Sequence, residues 1–262
     1  FTAGPLIVVA AAALSTEAAL LLTGALGVAG TLVVASSPPS RRWRGEPRAA
    51  DWAGPLRSAG MRTLLTALGC AGIALGVYSV AVVAYAERFG RDALSGMLLA
   101  AMSAGALTGG LVYGTRPWPG EDHRRLPYLL GALAVGYLPL ASAPAPPVML
   151  PLAFLSGIFL APTLACSFTL VDRLAPRGTV TEAFAWIVAA IGVGAAAGSA
   201  VAGFGQDLAG VPGAFAGAGA GGLLALAVCL AGRRTLRPVP PAPASGGRDA
   251  PARRREEELN GL

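Results

Sequence analysis

Runs of about twenty apolar residues, separated by short polar stretches, repeat along most of the chain. They fall at 17–35, 63–86, 94–114, 127–143, 148–171, 181–204 and 213–232. A helix needs about 20 such residues to cross a bilayer. The pattern therefore predicts an all-α polytopic membrane protein with seven full transmembrane helices. An eighth run, residues 1–13 (FTAGPLIVVAAAA), is too short to span and has no basic leader of the kind a signal peptide carries. It reads as the back half of a truncated helix. Residues 36–62 interrupt the repeat with Pro, Gly and six Arg, and read as a linker between two helical bundles. Residues 1–35 would then end the first bundle, and 63–232 would form a second bundle of six helices. From Arg233 onward the chain is rich in Pro, Arg and Glu and is expected to be a disordered tail.

Composition agrees with the pattern. Of 262 residues, 54% are apolar and 13% charged, with a mean hydropathy of +0.61. A soluble domain carries about 25% charged residues, so this chain has too little polar surface to cover a soluble core of that size. The net charge of +6 is made entirely with Arg, without Lys. These arginines sit in the loops between apolar runs, which points to membrane orientation rather than to nucleic acid. If 36–62 is cytoplasmic, so are 115–126, 172–180 and the tail; together they hold eighteen of the twenty Arg, leaving Arg88 and Arg91 on the other side. This positive-inside bias supports the run count and predicts a plasma-membrane (inner-membrane) protein with a cytoplasmic C-terminus.

Small residues recur at helical spacing inside the runs. Gly72/Gly76, Gly105/Gly109, Gly110/Gly114 and Gly194/Gly198 are Gly-x-x-x-Gly pairs. Lipid offers little hydrophobic drive for helix association, so such pairs are expected to bring backbones close together.

The runs from residue 17 onward carry no Asp, Glu, Arg or His at mid-depth. A membrane-embedded hydrolase needs such groups, so no enzyme activity is expected. Cys70, Cys166 and Cys229 lie in different runs without a Cys-x-x-Cys partner, and the lone His123 has no companion ligand. No metal and no other cofactor is expected. Tyr78, Ser79, Thr163, Ser167, Thr169 and Trp186 remain at depth. Tyr78, Thr163, Thr169 and Trp186 are the candidate substrate contacts, suited to a lipophilic or amphipathic molecule. In the plainer reading each hydroxyl bonds its own helix backbone. Pro162 is expected to kink its run. Residues 179–182 read TVTE, a capping box with Thr179 as N-cap and Glu182 at the third position. Glu182 is alternatively a gate contact for Arg173 or Arg177. Asp172, Arg173, Glu182, Arg116 and Arg124 form the candidate gating set.

A truncated run, a full run, a basic linker and six further runs resemble spans five to twelve of the major facilitator superfamily. Gly4-Pro5 resembles the Gly-Pro of that family's span-five antiporter motif, where both residues serve helix packing. GMLLAAMSAGALTGGLVYGTR, followed by Asp122, Arg124 and Arg125, resembles the second copy of the family's loop motif, with Thr115 where the family places an acid. GIFLAPTLACSFTLVDRLAPRGTVTEAFAW resembles spans ten and eleven of actinobacterial drug-efflux-type members. The resemblance implies a monomeric secondary transporter in the lipid bilayer, exporting a small lipophilic substrate against protons. Its coupling carboxylate would lie in spans upstream of Phe1. An importer of sugars, peptides or organic acids, and a non-transporting membrane scaffold or sensor subunit, are the alternatives. On the transporter reading, residues 1–262 alone lack half the cavity wall and are expected not to transport. Substrate accumulation driven by the purified chain in liposomes would count against that expectation.

Overall fold

The structure is a computed structural model and describes residues 16–42, 53–176 and 178–237. Every regular element among them is helical. In chain order these are α1 (Thr16–Ser36), α2 (Pro38–Arg42), α3 (Ala59–Arg88), α4 (Ala93–Thr115), α5 (Asp122–Tyr137), α6 (Pro146–Gly157), α7 (Leu160–Leu174) and α8 (Val180–Ala231), with short 3-10 turns at Gly54–Arg57 and Leu138–Ser142. Among the described residues, four helices are long and apolar enough to cross a membrane: Ala59–Arg88, Ala93–Thr115, Pro146–Leu174 (α6 and α7 taken together) and Val180–Ala231, the last bent at Ala209–Gly210.

Each of the seven apolar runs falls on helical segments, but runs and long elements do not correspond one to one. The runs 181–204 and 213–232 are arms of one element, α8. At about 1.5 Å per residue its 52 residues would reach about 78 Å, far beyond a hydrocarbon core of about 30 Å. The element is broken at Ala209 (φ −139°, ψ 16°) and Gly210 (φ 63°, ψ −157°), just before Pro212. A positive φ of this kind is adopted readily only by glycine. The chain doubles back there, so that a Cβ on Gly213 would stand 2.6 Å from the Gly205 carbonyl oxygen. The run 127–143 is α5, a 16-residue helix, continued by the Leu138–Ser142 turn. The run 148–171 is interrupted at Ile158–Phe159, between α6 and α7. Pro162 has no N–H to offer the Ile158 carbonyl, which accounts for a break four residues upstream of it. Helix α1 has 21 residues, as the run 17–35 predicts, and its large apolar side chains are exposed, Leu21 at 75% and Val33 at 69%.

Helix α3 is the centre of the assembly, and both arms of α8 pack on it. Gly69 faces Gly194 and Ile73 faces Gly198, so α3 and the first arm run in the same direction. Thr63 faces Gly232, Ala74 faces Gly221 and Val77 faces Gly217, so the second arm runs the opposite way. The first contact is backbone on backbone. A Cβ on Gly72 or Gly76 would collide with the carbonyls of Ile191 and Ala195, and one on Gly194 or Gly198 with those of Gly69 and Ile73. Ser199 adds a hydrogen bond of 3.4 Å to the Gly76 carbonyl. A second seam repeats the device. Gly105 and Gly109 on α4 meet the carbonyls of Phe154 and Ile158, and Gly157 meets that of Met102. The Ile158 carbonyl, to which Pro162 offers no N–H, is the one seated over Gly109. Gly114 has nothing within 4 Å, so the Gly110/Gly114 pair makes no such seam.

Two apolar cores fill the space between the helices. One gathers Tyr78, Tyr85, Tyr137 and Phe215 with Leu94 and Leu98. The other gathers Met61, Leu64, Leu68, Leu126, Leu170 and Cys229. The three cysteines are buried and free. The outside of the bundle is apolar as well: Leu208 is 88% exposed, Val193 71% and Phe204 70%. Such a surface suits lipid and not water.

Gly76→Ala is expected to destabilise the chain by about 1–3 kcal/mol, because an overpacked backbone contact cannot relax through a side chain. Gly114→Ala, which meets open space, is expected to be neutral or slightly stabilising through helix propensity. Thermal unfolding of the two variants in detergent compares them directly.

Candidate functional site

The ends of the helices bring together most of the polar side chains. The Thr63 and Thr235 hydroxyls share a hydrogen bond of 2.9 Å, and Gly60 packs against Thr235 and Leu174. The start of α3, the foot of α7 and the segment after α8 therefore meet at one end of the bundle. The start of α5 joins them through an ion pair from Arg173 to Asp122. This end carries Arg124, Arg125, Arg173, Arg233, Arg234 and Arg237. At the other end, the Tyr85 hydroxyl donates to the Pro144 carbonyl, and the Tyr85 ring packs on Phe89 and Phe215. Arg88 and Arg91 lie there, close after Tyr85 in sequence.

Asp122 is the hub of the basic end. Its side chain is 13% exposed, and its two carboxylate oxygens take different partners. One lies 3.2 Å from Arg125, one turn later on α5; the other lies 3.4 Å from Arg173, on α7. Arg125 also holds the α4–α5 loop. Its guanidinium donates to the Tyr113 hydroxyl at 2.8 Å and to the carbonyls of Trp118 and Gly120, both at 3.0 Å. It lies 5.7 Å above the Tyr113 ring, which stacks on Trp118 at 5.3 Å. Gly120 turns the loop at φ 88°. The Cys166 thiol, also from α7, donates to the Asp122 carbonyl at 3.4 Å. The loop is thus clamped by Arg125 and tied to α7 by two contacts of different strength. Arg125 is 17% exposed and fully engaged, whereas Arg173 is 51% exposed. The Arg173–Asp122 pair thus joins a half-exposed guanidinium to a carboxylate that is mostly buried.

The candidate gating residues spread around this hub. Arg173 belongs to it. Arg124 is 72% exposed and lies 3.8 Å from Glu121. Asp172 and Arg116 are exposed, Glu182 is half-buried, and Arg177 lies outside the described residues. The capping box is not formed: Thr179 stands at the N-cap of α8, but its hydroxyl donates to the Pro176 carbonyl at 2.8 Å and no side chain caps the helix. The Thr179 N–H donates to the same Pro176 carbonyl at 3.0 Å.

The candidate substrate contacts are dispersed. Tyr78 is completely buried; its hydroxyl donates to the Leu98 carbonyl at 3.1 Å, and its ring packs on Tyr137 and Phe215. Thr163 is buried and bonds the Phe159 carbonyl at 2.6 Å. Thr169 is exposed and bonds the Cys166 carbonyl at 2.8 Å. Ser79 and Ser167 likewise bond carbonyls four residues back. Trp186 is half-buried against the core of the basic end. Gly4 and Pro5 lie outside the described residues.

Asp122 and Arg125 were visible in the sequence as part of a basic loop. An acid and an arginine three apart, directly after a Pro-Gly turn, are the local sign of a pair opening a helix. The tie from Asp122 to Arg173 spans two further helices and has no such sign. No group of three His, Cys, Asp or Glu able to hold a metal occurs among the described residues.

Asp122→Asn removes both ion pairs and leaves Arg125 facing a neutral partner. It is expected to cost about 2 kcal/mol and to loosen the α4–α5 loop, whereas Arg124→Gln is expected to change stability little. Thermal unfolding and limited proteolysis at the loop distinguish the two. No family model, curated protein or solved structure matches this chain.

Proposed function

We propose that this chain is the C-terminal portion of a secondary transporter of the major facilitator type, exporting small lipophilic compounds by proton-coupled alternating access. The observation that carries the reading is the separation of a neutral bundle from one strongly basic end, tied by the Asp122–Arg173 contact. That is the arrangement expected of a cytoplasmic face that opens and closes. The backbone seams of α3 with α8 and of α4 with α6 and α7 support it in a second way. They make the helices a unit able to rock as one body. The cavity would be apolar, and the group that binds the coupling proton would come from elsewhere in the transporter. The Arg173–Asp122 pair would lock the inward end and release it when α7 moves.

Expression of the complete reading frame that contains this chain, in bacteria lacking their own efflux pumps, tests the proposal. A lipophilic fluorescent dye is expected to accumulate less in expressing cells, and a protonophore is expected to abolish the difference. Arg173→Gln is expected to slow efflux while leaving expression unchanged. Equal dye levels with and without expression would overturn the export reading. Protein-dependent uptake of a sugar, peptide or organic acid in their place would favour the importer.

A further inference from the structure

A second feature of the basic end adjoins the Asp122 hub. A cleft of about 1020 Å³ opens between one face of α5 and the second arm of α8. Ligand pockets are commonly about 300–1,000 Å³. The two helices are antiparallel here, with Gly131 facing Leu226 and Ala134 facing Gly222. The antiparallel pairing puts the charged ends of both helices at the same level. Arg124, Arg233, Arg234 and Arg237 stand at the mouth, together with His123. Below them the walls are apolar: Pro127, Tyr128 and Gly131 on α5, and Leu226 and Leu230 on α8. The cleft is therefore cationic at one end and greasy at the other, over about 13 Å of helix at about 1.5 Å per residue.

The polar groups at the mouth are short of partners. Arg233, Arg234 and Arg237 make no ion pair among the described residues and are exposed. His123 is 7% exposed, and its Nδ1 makes no hydrogen bond; the nearest carboxylate oxygen, on Glu121, is 3.5 Å away. A buried polar nitrogen without a partner is costly. An anionic oxygen at the mouth would offer the arginines, and His123 beside them, what the protein does not.

We propose that this cleft binds an anionic phospholipid, with its phosphodiester among the arginines and its acyl chains along the apolar walls. The occupant is a lipid and not a free phosphate, because the cationic mouth continues into an apolar trough that inorganic phosphate would leave unfilled. The trough also leads onto exposed apolar side chains further along α8, Leu223 at 46% and Leu224 at 49%. Basic clusters between helices at the cytoplasmic level select anionic headgroups by this chemistry. The proposal rests on the membrane location of the bundle and not on transport.

Titration of the detergent-purified chain with phosphatidylglycerol and with phosphatidylcholine, followed by native mass spectrometry, tests it. Phosphatidylglycerol is expected to be retained selectively. An arginine near an anionic headgroup contributes about fivefold in affinity, so the variant with Arg233→Gln, Arg234→Gln and Arg237→Gln is expected to bind about a hundredfold more weakly. The variant with Arg88→Gln and Arg91→Gln, at the opposite end, is expected to bind as the parent does. All five positions are exposed, and thermal unfolding without lipid checks that both variants fold. Leu226→Arg, which charges the trough and leaves the mouth intact, is expected to lose phosphatidylglycerol while keeping any affinity for inorganic phosphate. Three results would overturn the proposal: equal retention of the two lipids, equal loss in the two arginine variants, or stabilisation by inorganic phosphate matching that by phosphatidylglycerol.

Discussion

Close backbone contact at glycine is the constraint on which the rest of this structure depends. In lipid an apolar helix gains little by leaving its surroundings for another apolar helix, so association must come from contact area and from polar atoms brought within reach. Along α3 and the first arm of α8, carbonyl oxygens from each helix occupy the places that Cβ atoms would take on the other, at Gly72, Gly76, Gly194 and Gly198. Contacts of the Cα–H···O=C kind recur where helices approach this closely. A single methyl group anywhere along the seam would hold the axes apart, and the second arm, which packs on α3 from Thr63 to Val77, would lose its register with them.

The second seam depends on a defect. Pro162 deprives the Ile158 carbonyl of its helical donor, and the helix breaks between α6 and α7. The same oxygen is seated over Gly109 of α4. A helix break and a close helix contact thus share one atom, and each makes the other less costly. Gly210 plays a comparable part in α8: its positive φ reverses the chain before Pro212, so that both arms reach α3.

The charges follow from this packing. Because the first arm of α8 is parallel to α3 and the second antiparallel, the start of α3, the foot of α7, the start of α5 and the end of α8 arrive at one level. Arginines from four separate stretches of chain therefore crowd together. Some are absorbed: Arg125 by the carbonyls of its own loop, Arg173 by Asp122. Arg233, Arg234 and Arg237 are left facing a cleft. One end of the bundle thus contains both an ion pair between two helices and a set of exposed cations beside a cleft.

By themselves, the apolar runs determined the helical class, most of the element positions, and the grouping of the arginine-bearing loops on one side, because hydropathy and span length are properties of consecutive residues. The Gly-x-x-x-Gly spacings likewise marked the faces through which α3, α4 and α8 approach their neighbours. The helix count was less legible. The gap between the runs 181–204 and 213–232 marked the bend at Ala209–Gly210, but whether 148–171 is one helix or two rests on one missing N–H. The Thr179 cap misled for a similar reason, since its hydroxyl had a nearer acceptor in the preceding turn. Only the tertiary structure decided that Tyr78 is sealed between aromatic rings, that Asp122 reaches Arg173 as well as its neighbour Arg125, and that His123 shares a cleft with Arg233. Each of these depends on which helices are parallel and how closely they approach, and backbone contacts between residues far apart in the chain set both.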